Sequence, residues 1–367
     1  MTSDIPSPTP RTPSSDGHAI RILVDDYPED GSKSASSKSD EPKNADRGDS
    51  PAELDVEGGL ARIDPLMVKP RRSSVVLCLV LAALLVFAAG AAWWLAVRTV
   101  DGQSYEDMVW QYFPSMAYGP VEHVSDVFTN SAVVIAMTVV IGVAAAAITI
   151  VRRRWRLVFQ MLFVAGLCYA ATWLKPLLPR EALIHTVSRQ ANSAPSGHTM
   201  MMAAAVMILL LAVPRRWRAV TAIAAVALSS AVGLSVMMGQ WHRPVDVVMS
   251  ILIAAAIALL ALAFTRRSGM DAPGDRASTP SIQVVGSVLI TAGVMAVLYG
   301  VYVIWQIYPG LDVSARWARA AAVLSAQVLV CGTAILCCGI VVVMRQLVAS
   351  PLTRLGVIGA PPSPPKS

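Results

Sequence analysis

The sequence predicts an all-α, polytopic membrane helix bundle of about eight transmembrane helices. Three observations carry the prediction. Apolar residues make up 55% of the chain and charged residues only 15%, a balance too apolar for a water-soluble domain. Uninterrupted apolar runs of about 18 residues or more recur, the length a helix needs to cross about 30 Å of hydrocarbon. Short arginine clusters separate the runs and fall on alternate loops, the pattern of a multi-pass chain with its basic loops inside.

In chain order, residues 1–72 are rich in Ser, Pro, Asp, Lys and Gly. Such a segment buries too little apolar surface to offset its ordering entropy, and reads as a disordered cytoplasmic tail. It is too long and polar for a signal peptide. The spans then read as 74–97, 131–151, 157–174, 199–213, 219–238, 246–265, 283–305 and 321–344. The fourth is short, and its helix is expected to begin near Pro195. The first six spans define a membrane domain over 73–267. A cytoplasmic linker, 268–282, leads to two additional helices over 283–344 and a cytoplasmic tail, 345–367.

Orientation follows from Lys69-Pro70-Arg71-Arg72, the cluster Arg152 to Arg156, Arg215-Arg216-Trp217-Arg218 and Arg266-Arg267. All fall on one side, which the positive-inside rule makes cytoplasmic, together with both termini. The loops 98–130, 175–198, 239–245 and 306–320 then face outward, with Trp305 and Tyr308 in an interfacial aromatic belt. Ala-, Arg- and Val-rich usage without a targeting segment fits a bacterial plasma membrane.

The remaining composition narrows the function. The net charge of +6 is carried largely by topological arginines, so it gives no reason to expect a nucleic-acid partner. The five cysteines lie inside apolar segments without disulfide or zinc spacing. The spans hold almost no ionisable residues, which disfavours a proton or ion pathway. Polar groups gather instead on the outer side.

Two knots stand out there. In Ala194-Pro195-Ser196-Gly197-His198-Thr199, Ser196 suits a helix N-cap. The amides of Gly197 and His198 that follow have no partner within the helix, and with the helix dipole they form an anion site. In Gln240-Trp241-His242-Arg243-Pro244-Val245-Asp246, Pro244 suits a first helical turn. Asp246 can reach back to one ring nitrogen of His242 and leave the other aimed outward, the orientation a nucleophilic or basic histidine needs. Between Lys69 and Lys366 the only lysine is Lys175, shortly before Arg180; such a pair can clamp a phosphoryl group. Singly, Lys175 reads as a snorkelling anchor, His198 as an interfacial polar residue and Asp246 as a dipole-favoured charge. Their coincidence on one face favours a site.

The order Lys–Arg, Pro-Ser-Gly-His, His-x-x-x-Asp resembles the type 2 phosphatidic acid phosphatase superfamily of integral-membrane lipid phosphate phosphatases, over roughly residues 98–265. The resemblance implies a six-helix core, a site at the outer membrane surface, no metal or other cofactor, and a phosphohistidine intermediate. It makes His242 the nucleophile, Asp246 its orienting partner and His198 the general acid. Lys175, Arg180, Ser196 and Gly197 would hold the phosphate oxygens. Two departures stand against the family pattern. The Lys175-to-Arg180 spacing is short and Glu181 follows Arg180, and Val236 occupies the position of an expected arginine. Arg243 and Arg189 are the candidates to replace that cation.

The expected function is therefore a metal-independent phosphatase hydrolysing a lipid phosphomonoester or a polyprenyl pyrophosphate, with the bilayer as its surroundings. An inactive lipid-binding relative and a phosphotransferase between lipid carriers are the alternatives. A serine hydrolase built on Ser196 fits the surrounding cations poorly. A metal-dependent site would have only the scattered Glu106, Asp107, Glu122 and Asp126 of the outer loop to draw on.

Overall fold

The computed structural model describes residues 72–119, 121–188, 190–265, 280–311 and 315–349. The expected N-terminal tail apart from Arg72, most of the 268–282 linker, the chain beyond residue 349 and Arg189 lie outside the described residues.

All regular structure among the described residues is helical. The helices are α1 (Arg72–Val97), α2 (Val100–Met116), α3 (Val121–Phe128), α4 (Ser131–Val151) and α5 (Trp155–Ala171), then α6 (Gly197–Ala212), α7 (Arg218–Met238), α8 (Pro244–Ala263), α9 (Pro280–Ile307) and α10 (Arg316–Ala349). Among them α1, α4, α7, α8, α9 and α10, and α5 with the short turn after it, are long and apolar enough to cross a membrane. The fourth expected span, 199–213, is α6, apolar but only 16 residues long. The last helix reaches past the expected end of its span, so residues 345–349 are helix rather than tail.

The two helices that begin with the polar knots lie at the centre. α8 packs against α1, α5, α6 and α10, while α6 packs against α4, α5, α7 and α8. Both are buried along nearly their whole length. Residues apolar on every side suit this position, because a helix surrounded by other helices has no solvent face to mark.

The stretch 98–130, expected as an outer loop, holds α2 and α3. Thr99 caps α2, its hydroxyl accepting from the Gly102 amide at 3.0 Å, and Asp101 sits in the first turn, where a negative charge meets the positive end of the helix dipole. This helix is polar, and it becomes central to the site.

α9 and α10 form an antiparallel hairpin. Gly286, Gly293 and Gly300 recur at a seven-residue interval along α9, and Gly332 and Gly339 answer from α10. A Cβ on Gly293 would stand 2.5 Å from the backbone nitrogen of Leu336, so the two backbones touch only because hydrogen occupies that place. Through α10 the hairpin reaches α2, α7 and α8.

Candidate active site

The start of α8 supplies the reactive pair. Oδ2 of Asp246 lies 3.1 Å from Nδ1 of His242 and accepts from the Arg243 amide at 3.0 Å and the Ser193 hydroxyl at 2.5 Å. His242 is 8% and Asp246 1% exposed. A buried carboxylate on Nδ1 favours the tautomer with its proton there, leaving Nε2 with a lone pair. The Val236 carbonyl accepts from the amides of Trp241 and His242 at 3.0 and 3.3 Å. The Val236 side chain is fully buried, so no cation comes from that position.

The start of α6 is fastened to the same place. The Ser196 amide donates to the Asp246 carbonyl at 3.1 Å, and the Ser250 hydroxyl bonds the Ser196 and Asp246 carbonyls at 3.1 and 2.7 Å. Ser196 is the expected cap: its Oγ accepts from the Thr199 amide at 3.4 Å and from the Thr199 hydroxyl at 3.1 Å. Its side chain is fully buried, so it shapes the helix start and the way in lies at Gly197. A Cβ built there would meet nothing within 4 Å, which leaves open space beside the first-turn amides. His198 is half-buried and tilted against Trp241, with ring centroids 5.3 Å apart. His242 and Lys175 both lie close enough for their charges to act on it.

The loop between α5 and α6 brings the cations. Asn192 Nδ2 bonds the Lys175 carbonyl at 3.1 Å and the Ala194 carbonyl at 2.9 Å, tying the lysine to the start of α6. Arg180 is half-buried, and its Nη2 is buried with no hydrogen-bond partner among the described residues. Burial and the neighbouring Arg243 penalise its cation, whereas Glu106, Asp246 and Asp107 support it. Arg243 is 2% exposed. Its Nε and Nη2 donate to the Ser188 hydroxyl at 3.3 and 3.0 Å, and its Nη1 to the Ser193 hydroxyl at 3.4 Å.

The structure thus gathers His242, Asp246, His198, Lys175, Arg180, Ser196, Gly197 and Arg243 in one neighbourhood. Of the expected site residues, Arg189 alone lies outside the described ones.

Sequence reasoning missed the residues that support them. Ser188 and Ser193 were unremarkable loop serines. Glu106 and Asp107, in sequence only scattered carboxylates of the outer loop, are both buried on α2. Asp107 accepts from the amides of Ser188 and Val187 at 2.9 and 3.2 Å and from Gln111 at 2.8 Å. Burial works to raise its pKa, but hydrogen bonds from Ser188, Val187 and Gln111 outweigh that and hold it below the ordinary carboxylate range. Glu106 accepts from the Val245 amide at 3.4 Å. Burial, then the Asp246 charge, push Glu106 up to about 8 against the opposing pull of Arg243, the Val245 amide and Arg180. The available signal was the spacing of Gln103, Asp107 and Gln111, four residues apart on one face of a helix.

Comparison with curated proteins and with solved structures gave no match. A family model described as the PAP2 superfamily matches residues 66–270, more than half of the chain, and the matched stretch ends before α9 begins. It contains every candidate residue above, and it supports a phosphatase acting on phosphate esters. This all-helical, multi-pass membrane protein belongs to the PAP2 superfamily.

Proposed function

We propose that the chain is a metal-independent phosphatase that hydrolyses a lipid phosphomonoester or pyrophosphate at the extracytoplasmic face through a phosphohistidine on His242. The observation that carries this reading is the buried contact of His242 Nδ1 with Asp246 Oδ2 at 3.1 Å. It fixes the tautomer and stabilises the ring as it becomes cationic.

The steps follow from the groups present. Nε2 of His242 attacks phosphorus; the new N–P bond forms as the P–O bond to the leaving oxygen breaks. His198 gives its proton to that oxygen, releasing a lipid alcohol or, from a pyrophosphate, a lipid monophosphate. A water then attacks the phosphohistidine and passes a proton to His198, and inorganic phosphate leaves with Nε2 restored. Lys175, Arg180, Arg243 and the Gly197 amide neutralise the transferring group. Arg243 lies in the same neighbourhood as Arg180, and so supplies a second guanidinium where Val236 offers none.

The test is to trap the intermediate. Purified full-length protein, mixed with a ³²P-labelled lipid phosphate and quenched without acid, is expected to carry acid-labile, base-stable label. His242→Ala is expected to carry none. Label that persists without His242, or a base-labile label lost in Ser196→Ala, would overturn the assignment.

A further inference from the structure

The hairpin of α9 and α10 lies beyond the stretch matched by the family model, yet it meets the site through α2. At about 100° per residue, the contacts of α2 fall on three sides. Gln103 and Asp107 face the loop between α5 and α6, with Gln111 donating to Asp107 at 2.8 Å. Gln103 Nε2 donates to the Glu181 carbonyl at 2.7 Å and its Oε1 accepts from the Leu183 amide at 3.2 Å; Asp107 holds Val187 and Ser188. Glu106 and Trp110 face the segment that begins α8, bonding the Val245 amide at 3.4 Å and the Gln240 carbonyl at 3.0 Å. Asp101, Tyr105 and Tyr112 face the hairpin. Tyr308 donates to Asp101 at 2.8 Å, the Tyr105 hydroxyl meets Ser325 Oγ at 2.9 Å, and Arg319 stacks 4.6 Å over the Tyr112 ring. Just past the helix, Gln327 bonds both the amide and the carbonyl of Tyr118, at 2.9 and 3.0 Å.

We propose that Ser325 and Tyr105 are positioning residues for the phosphate site, through which the C-terminal hairpin sets the placement of Arg243. The chain of contacts is continuous. Ser325 fixes Tyr105, and Tyr105 fixes the rotation of α2 about its axis. That rotation places Asp107, which holds the Ser188 amide, and the Ser188 hydroxyl receives the Arg243 guanidinium. The Tyr105 hydroxyl is buried, with Ser325 and the Ala322 carbonyl, the latter at 3.4 Å, as its partners. Without Ser325 the hydroxyl lacks a full partner, and α2 has reason to turn. A shift of about 1 Å in a catalytic group can cost on the order of 10²-fold. The inference rests on the proposed site chemistry, because Arg243 must act on the phosphate for its placement to matter.

A contact chain is not in itself proof of coupling, so the test measures coupling. In full-length protein, Ser325→Ala and Asp107→Asn are made singly and together, and kcat and KM are read for a lipid phosphate. Ser325→Ala is expected to lower kcat about 10-fold with thermal stability close to wild type. In the Asp107→Asn background the same substitution is expected to change kcat less than about 2-fold. Ser325→Thr, which keeps the hydroxyl, is expected to restore most of the rate. Tyr105→Phe removes the bond from its other end and replaces Ser325→Ala if that variant does not fold. Losses that simply multiply in the double variant, or an unchanged kcat in both Ser325→Ala and Tyr105→Phe, would overturn the proposal. A wild type without phosphatase activity would instead overturn the site chemistry; the cycle is then read on binding of inorganic phosphate, where full additivity again defeats the coupling.

Discussion

Oδ2 of Asp246 serves His242 while it also takes the Ser193 hydroxyl, at 3.1 and 2.5 Å. One oxygen therefore holds the ring in place and is itself held by the loop that precedes α6. Asp246→Asn is expected to lower kcat on the order of 10²- to 10⁴-fold, because an amide can turn its NH₂ toward Nδ1 and select the wrong tautomer. Steady-state phosphate release checks this, and an unimpaired Asp246→Asn would remove Asp246 from the mechanism.

The two histidines are expected to separate by leaving group. An activated aryl phosphate, where accepted as a substrate, needs little protonation as it departs, so it partly rescues His198→Ala. It gives His242→Ala no rescue, because the nucleophile is absent for every substrate. Equal rescue of both variants would reject the division of roles.

Arg180→Lys keeps the charge but loses the planar fork. With one guanidinium nitrogen buried and unbonded, Arg180 is expected to lose on the order of 10²-fold in kcat/KM when so changed. Arg243→Ala is expected to lose at least as much, since the position of Val236 supplies no cation. Near wild-type activity in Arg243→Ala would leave the site with a single guanidinium.

Glu106 makes stability depend on pH. Its folded pKa is raised to about 8, chiefly by burial and next by Asp246, above the ordinary range near 4.3 for an unfolded chain. Its contribution is fully present below that lower value and is lost as pH rises through about 8. The groups facing it are Asp246, Arg243 and Arg180, with Tyr105 as its neighbour on α2. The thermal midpoint of the wild type is expected to fall between pH 6 and pH 9, and Glu106→Gln to flatten that fall. Identical profiles for the two proteins would show that Glu106 stays ionised.

Topology is checked by single cysteines in a background lacking the native five. Val187 in the loop before α6 and Trp217 before α7 are both exposed. Val187→Cys is expected to react with an impermeant thiol reagent in intact cells, and Trp217→Cys only after permeabilisation. The reverse pattern would put the site on the cytoplasmic face.

Activity is expected to survive EDTA, because the neutralising groups are Lys175, Arg180, Arg243 and backbone amides. Loss restored by magnesium or zinc would replace this mechanism.

The helices that face apolar surroundings were legible in the sequence, since length and hydropathy mark them directly. So were the Ser196 cap and the reach of Asp246 to His242, which are local relations within a turn. What escaped was α2, read as loop. Its buried Met108, Val109 and Phe113 are interleaved with buried Gln103, Glu106 and Asp107, and a search for apolar periodicity passes over such a helix. The serines that seat Arg243, at positions 188 and 193, lie about fifty residues away in sequence; α2 brings the first to it through Asp107 and the junction of α6 with α8 brings the second. The shortness of α6 was visible; its position at the centre of the bundle was not.

That shortness has a geometric consequence. Sixteen residues span about 24 Å, against a hydrocarbon thickness of about 30 Å. Arg216 and Trp217, both exposed, follow closely after the far end of α6; on the proposed topology they mark the cytoplasmic interface, and the shortfall then falls at Gly197. Because α6 is walled by its neighbours, the surrounding lipid need not thin to meet it. For the proposed lipid phosphate or pyrophosphate, reaching the Gly197 amide then means leaving the lipid and entering among helices, about 6 Å below the level a full-length span would reach.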